Sequence, residues 1–509
     1  MSGVFPTNPS ESPQDSIGGS AANRKGGRVS RFVGDLNPEA QLLEKTPSSR
    51  ATSRASSHER GDIGVWVKQG RHHKPNDNDV AKTEVVDPQS PRSDTSEIEP
   101  QGDIQYAAIT TLEGDIRAAA NFKLPDKPDV LALLDIYFSH VNNIVPVVEE
   151  GPFRHAYEKS RVPFVLLLAV ILVSCRHEQA KPHLRFSLDA TPLEPRLFAR
   201  AVAATLTALL KAEVERDKLT LIQTLMLASM HAEGPTGNED ASLRLSAAVH
   251  HAGTIGLHLA RNAGSAEDRR TLRLFWALWS LDRLNAGING RAVFIHERDV
   301  AERPSSFCDD PTDKAKYGAF ELWLKITALL DKVIALYRPS KSLEVPWEDG
   351  FPTFEEVVAE DAETLTTEQI AMFELYYHSV AILSCRLRHS TPLPPSAPSR
   401  ILQTLSALRI TKVANEENLA TLPPIPVIPY ALTLSMTVAY RQFRESKLHI
   451  HKMRARADWE RAHRALAALG KQWWSAEALA KLGAQAMERI ERKGKSPGEH
   501  IVSHTGTSS

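Results

Sequence analysis

The residues best spaced for bond chemistry are the acids of Asp309-Asp310-Pro311-Thr312-Asp313. Carboxylates at that spacing on one helix face would let Mg²⁺ bridge the protein and a diphosphate. Pro311 stands inside the run, however, where an interior helix position costs about 3 kcal/mol. No second cluster of Asn or Asp, Ser or Thr, and Glu follows, so a solvated acidic turn is expected. His177-Glu178 begins like a zinc-protease pair, but Lys181 occupies the place of the second imidazole. His250-His251 and His449-x-His451 have no acid or thiol at ligand spacing and read as surface or packing histidines. The 3 cysteines, Cys175, Cys308 and Cys385, are too few and too far apart for a disulfide framework or a four-thiolate metal site. Such usage fits a reducing compartment. A G-x-S-x-G elbow, a G-x-x-x-x-G-K-[ST] loop and a G-x-G-x-x-G after a strand are all missing. No catalytic, cofactor-binding or metal-binding residue is assigned.

Charge gives a second exclusion. Across 509 residues, 61 Lys and Arg oppose 62 Asp and Glu, a net charge of −1. That balance rules out a globally basic nucleic-acid coat. Two basic stretches remain. Arg24-Lys25-Gly-Gly-Arg28-Val-Ser-Arg31 reads as a solvated arm, or else as a nuclear-import or phosphate-touching patch. Arg441 to Arg456 is expected to lie between helices as ordinary surface. The most apolar run, Phe164 to Cys175, would span about 18 Å as a helix. That is short of the about 30 Å a bilayer requires, so a buried core helix is expected and no membrane partner.

Helical periodicity dominates the elements that would position these residues. It predicts helices over Val130–Phe138, Phe164–Cys175, Leu197–Leu210, Leu219–His231, Ala241–Leu257 with Asn238 or Asp240 as cap, and Glu267–Ala286 ending at Gly287. Further helices are expected over Phe320–Tyr337, Thr366–Arg388, Ser396–Ala414, Pro429–Glu445 and Asp458–Ile490. Strict two-residue alternation is nearly absent, which argues against a substantial sheet. The expected fold is therefore all-α: a large multi-helix domain over residues 121–490, between a disordered arm (1–120) and a disordered tail (491–509). Ser, Pro, Gly and charge dominate the arm, which offers too little apolar surface to offset the entropy of ordering. Two apolar islands, Arg31–Leu43 and Gly61–Val67, are expected to dock on the body or on a partner.

One segment is specific. Glu267 to Arg283 contains Arg273, Phe275-Trp276 and Asp282-Arg283, followed by Gly290-Arg291. It resembles the middle homology region of fungal zinc-cluster transcription factors, in which Arg, Phe-Trp, Asp-Arg and Gly-Arg-Pro occur in this order. Ala292 replaces the proline. The resemblance extends to Asp135–Phe138 with Asn143–Pro146, to Tyr376–Leu383, to Pro429–Arg441 and to Gln472–Ala478. It also covers Phe32–Pro38 and Gly64–Trp66, which are similar to the linker preceding this region. Phe275, Trp276 and Trp279 would share an apolar face, with Arg273 and Asp282-Arg283 at its edge cross-linking helices. A structural role is expected for all of them.

The resemblance implies a nuclear regulatory domain without enzymatic activity, responsive to a small-molecule effector and to transcription-factor or transcription-machinery partners. Family members carry six cysteines binding two zinc ions and a basic helix that enters the major groove. This chain has no cysteine before Cys175. Two expectations stay open: regulation through a partner with weak or indirect DNA contact, or an N-terminal exon that supplies the cluster, in which case zinc would be a cofactor. Two further readings are a cytoplasmic all-α Mg-dependent prenyl-diphosphate enzyme using Asp309–Asp313, and an interaction scaffold with no transcriptional role.

Overall fold

The computed structural model describes residues 30–43, 58–61, 64–68, 122–259, 265–301, 303–304, 306–308, 311–338, 350–385 and 397–494. Most of the expected disordered arm and tail lies outside these residues, as do Asp309, Asp310 and the cations Arg24, Lys25 and Arg28. The body is all-α. Helix α2 (Lys127–His140) has Pro128 in its first turn, where the absent N–H is harmless. Asn142 closes it: its Oδ1 accepts the Tyr137 hydroxyl at 3.0 Å and the Val147 and Val148 amides at 3.1 and 3.0 Å. Helices α3 (Glu150–Glu158) and α4 (Phe164–Ser174) follow. Every residue of α4 from Val165 onward is buried, so its uniform apolarity reflects an interior position.

Helices α5 (Pro195–Lys211) and α6 (Lys218–Ser229) pack against α4, and α7 (Gly237–Thr254) packs against α6 and leads into α8 (Ala266–Asn289). Ser265 and Asp268 form a capping box at the start of α8. Then come α9 (Pro311–Ala335), α10 (Phe354–Val358), α11 (Thr367–Ser384) and α12 (Ala397–Glu416). The chain ends in α13 (Val427–Glu445), α14 (His449–Leu469) and α15 (Trp474–Gly494). Residues Val427–Tyr440 of α13 are all buried, and α11, α12, α14 and α15 surround them. One apolar cluster runs through the whole body.

Four boundaries differ from the sequence reading. Helix α7 starts at Gly237, with Thr236 as N-cap, because Gly234 at φ +80° turns the chain one residue before Pro235. Asn238 and Asp240 therefore sit in its first turn. Helix α8 runs through Gly287 to Asn289: Gly287 keeps a helical backbone packed at ordinary contact distance from Leu330 and Tyr430, and the left-handed turn comes only at Gly290. The long C-terminal helix is two. The Gln472 and Trp473 amides both return to Leu469 O at 2.9 Å, and Arg196 donates to Gly470 O at 3.1 Å. The basic stretch Arg441–Arg456 lies mostly within α13 and α14, with only residues 446–448 between them.

The arm contributes a small sheet that alternation did not reveal. Strands β1 (Ser30–Gly34), β2 (His58–Gly61) and β3 (Gly64–Lys68) pair antiparallel in the order β1-β3-β2, with Phe32 opposite Trp66 and Gly34 opposite Gly64. Strands of four or five residues carry too few repeats to register as period two. Helix α1 (Glu39–Leu43) follows β1. Val33, Ala40 and Val65 form a satellite cluster, whereas Leu36 and Leu42 enter the main core.

Candidate functional site

The segment singled out in the sequence is α8 with the turn after it. Phe275, Trp276 and Trp279 are buried, with ring centroids 5.7 Å apart for Phe275–Trp276 and 5.3 Å for Trp276–Trp279. Arg273 lies near the start of the helix, with its guanidinium over the Tyr317 ring at 4.2 Å and donating to Glu149 Oε1 at 3.1 Å. One turn beyond Trp279, Asp282 is fully buried and Arg283 is 1% exposed.

Asp282 accepts from the Phe294 and Ile295 amides at 2.9 and 3.0 Å and from Arg283 Nη1 at 2.8 Å. Arg283 in turn donates to Asp331 Oδ1 and to Ile295 O, both at 2.8 Å, and stacks 4.6 Å over Trp279. One carboxylate and one guanidinium thus join α8, the chain after its C-terminus, and α9. Burial pushes the Asp282 carboxyl up, outweighing the amides and Arg283, which pull it down. The pair fixes geometry at a desolvation cost, the usual balance for a buried ion pair.

Gly290 ends α8 in the left-handed conformation, φ +61°, and its N–H and that of Arg291 both return to Ala286 O. The arm meets the body here. A Cβ on Gly34 would lie 2.1 Å from Gly290 O, and one on Gly290 would lie 2.7 Å from Gly34 O, so both positions require glycine. Beyond that contact, Tyr430 Oη lies 2.9 Å from Leu36 O and 3.1 Å from Gly287 O, sharing one proton between arm and α8. Arg489 of α15 reaches Leu42 O at 3.4 Å.

These contacts frame a cavity of about 230 Å³. The last turns of α8 form one wall, through Leu284, Asn285, Ile288 and Asn289, with Arg291 at its end. Phe32, Val33, Asn37 and Pro38 of the arm form another, and α7, α13 and α15 complete it. Trp473, Trp474 and Tyr430 supply aromatic surface. Of the seven motif residues named from sequence, Arg291 alone lines this space. Gly290 shapes its edge, Asp282 turns to the Phe294–Ile295 amides and Arg283 to α9 instead, and Arg273, Phe275 and Trp276 lie toward the other end of α8. Sequence reasoning missed Asn285, Asn289 and Tyr430 as lining residues. Five segments distant in sequence build the cavity, and no local pattern marks it.

The other candidates do not converge. Among the described residues, no three His, Cys, Asp or Glu side chains are grouped to hold a metal ion. Pro311 opens α9 at its first position, with Asp313 in its first turn, while Asp309 and Asp310 lie outside the described residues. His177 accepts from the Gln179 amide, and Lys181 pairs with Glu178 at 2.7 Å. Cys175 and Cys385 are buried thiols, Cys175 pushed up to about 11 by desolvation, so neither is an activated nucleophile. No helix among the described residues is long and apolar enough to cross a membrane.

Residues 134–320 match the fungal specific transcription factor domain. The chain is similar to cutinase transcription factor 1 alpha of Fusarium vanettenii, 30% identical over 185 residues, which are 35% of this chain and 20% of that protein. It is 30% identical to the acetamidase regulatory protein of Aspergillus fumigatus over 194 residues, 36% of this chain and 24% of the relative. To an ABC-transporter-regulating transcription factor of Aspergillus fumigatus it is 25% identical over 248 residues, 43% and 26% of the two chains. The chain therefore spans between a fifth and about a quarter of the length of these relatives.

Proposed function

We propose that this chain, which over residues 134–320 belongs to the fungal specific transcription factor domain family, is a nuclear regulator of transcription. The match to that domain carries the reading, since it covers α8 and the Gly290–Arg291 turn, around which the body is built. Curated relatives named as transcription factors or regulatory proteins support it. The helical body acts by binding, with no bond-making step: Asp282-Arg283 and the Phe275-Trp276 face hold it together, and the cavity beside Arg291 receives a small-molecule effector. DNA contact runs through a transcription-factor partner, and this chain's own affinity for DNA is weak and electrostatic.

Two measurements test this. A fluorescently tagged chain is expected to accumulate in fungal nuclei. The purified chain is expected to bind duplex DNA weakly, with affinity falling steeply as salt rises. Exclusion from the nucleus would favour a scaffold without transcriptional role. Tight sequence-selective binding at physiological salt would overturn the partner-mediated route.

A further inference from the structure

The cavity beside Arg291 carries more information than its existence. Its walls are chiefly aliphatic and aromatic, and include Leu245, Leu284, Leu479, Leu482 and the two tryptophans. Into this lining comes the half-buried guanidinium of Arg291, which has no hydrogen-bond or ion-pair partner among the described residues. An arginine left open at the edge of an apolar chamber is a fork for a carboxylate.

A second, independent observation points the same way. Arg176 is buried directly behind the wall, donating to Met230 O at 3.4 Å, lying 2.5 Å from His231 Nδ1 and stacking 4.3 Å over Trp473. Met230 and Trp473 both line the cavity. Burial and the neighbouring cations Arg176 and Arg244 hold His231 well below the usual histidine range, so it is neutral. No carboxylate lies within hydrogen-bond distance of Arg176, and its Nε has no partner. Glu233 acts on Arg176 only from beyond hydrogen-bond distance, so this buried cation is incompletely compensated, and a further anion nearby would stabilise it. Two acids also line the cavity, Glu39 and Glu239, in the first turns of α1 and α7. Glu239 is exposed, where water weakens its repulsion, and Glu39 is itself engaged.

Size narrows the class. An apolar cavity of about 150 Å³ accommodates benzene. Scaling to about 230 Å³ admits a molecule of roughly nine or ten non-hydrogen atoms. We propose that this cavity binds a small amphipathic carboxylate, with its head on Arg291 and its apolar tail between the leucines of α8 and α15. The proposal rests on the regulatory reading above for its biological meaning, and on the cavity alone for its chemistry. Phe32, Val33 and Pro38 form one wall, so a bound ligand touches the arm and the body together. Binding then stabilises the docked arm by mass action.

Octanoate and 1-octanol, equal in carbon number and different in charge, are the probes, and the change in tryptophan emission of the full chain, to which the cavity-lining Trp473 and Trp474 contribute, is the signal. Octanoate is expected to saturate, with 1-octanol at least tenfold weaker. Arg291→Gln, its fold checked by thermal melting, is expected to lose at least tenfold in octanoate affinity while leaving 1-octanol unchanged. Ala478→Trp, which fills the cavity from α15, is expected to bind neither. Equal binding of the two probes, or an Arg291→Gln variant that binds octanoate like the parent, overturns the carboxylate assignment. No saturable binding of either probe overturns the site altogether. The regulatory reading fails separately, by cytoplasmic localisation, whatever the probes do.

Discussion

Asp282 ties the chain after α8 to the helix itself. It accepts two amides and a guanidinium while fully buried, so removing it leaves Arg283 and the Phe294 and Ile295 amides without that acceptor in a dry interior. Breaking one side of a buried pair costs about 3–5 kcal/mol. Asp282→Ala is expected to lower unfolding stability by that amount, read by urea denaturation, whereas a change at exposed Glu267 should stay within about 0.5 kcal/mol. His177 gives a pH dependence. Desolvation, followed by the neighbouring His140 imidazole stacked 4.0 Å away, lowers its pKa to about 4. The unfolded chain protonates near 6.5. The folded form therefore binds fewer protons in that interval, so this contribution is complete above about pH 6.5 and is lost as pH falls toward 4. The denaturation midpoint is expected to drop between pH 7 and pH 5. His177→Gln is expected to flatten that drop in part, since His231 is shifted the same way.

At the scale of elements, the junction between β1 and the end of α8 makes a coupling that neither segment shows alone. Gly34→Ala and Gly290→Ala each place a methyl against the opposite backbone, and Gly290→Ala also strains a positive φ. Each is expected to raise hydrogen exchange at the Asn37–Leu42 amides. Their stability costs should be clearly less than additive, because once β1 has moved off, the second methyl meets nothing. Element type was legible in the sequence wherever apolar residues repeated over several turns, as in α4, α8 and α13. What misled the reading was chemistry that tertiary contacts override. Gly287 looks like a helix stop but keeps a helical backbone, packed against Leu330 and Tyr430, while Gly290, three residues later, takes the positive φ that ends the helix. The split between α14 and α15 depends on Arg196 reaching Gly470 O from 274 positions away, which no local window contains. The short arm strands were hidden for a different reason: their pairing partners, not their own pattern, define them.

For the whole molecule, the sequence identified the motif helix but not the site beside it. Arg273 to Arg283 could be read as architecture because aromatic and arginine residues at helical spacing form one face. The cavity is assembled from the arm, α7, α8, α13 and α15, and only Arg291 among the residues singled out reaches it. The fold thus gathers, at one place, the end of the motif helix, the segment entering from the N-terminal arm and the one guanidinium, that of Arg291, among the described residues lining the cavity. A regulator built this way would sense a ligand where arm and body meet. Its output is the central claim, and one assay addresses it most directly: the full chain tethered to a heterologous DNA-binding domain upstream of a reporter gene in a fungal host. Reporter transcription is expected to change, and Asp282→Ala is expected to abolish that change at matched protein level. A reporter that responds identically with and without the tethered chain would contradict the central claim.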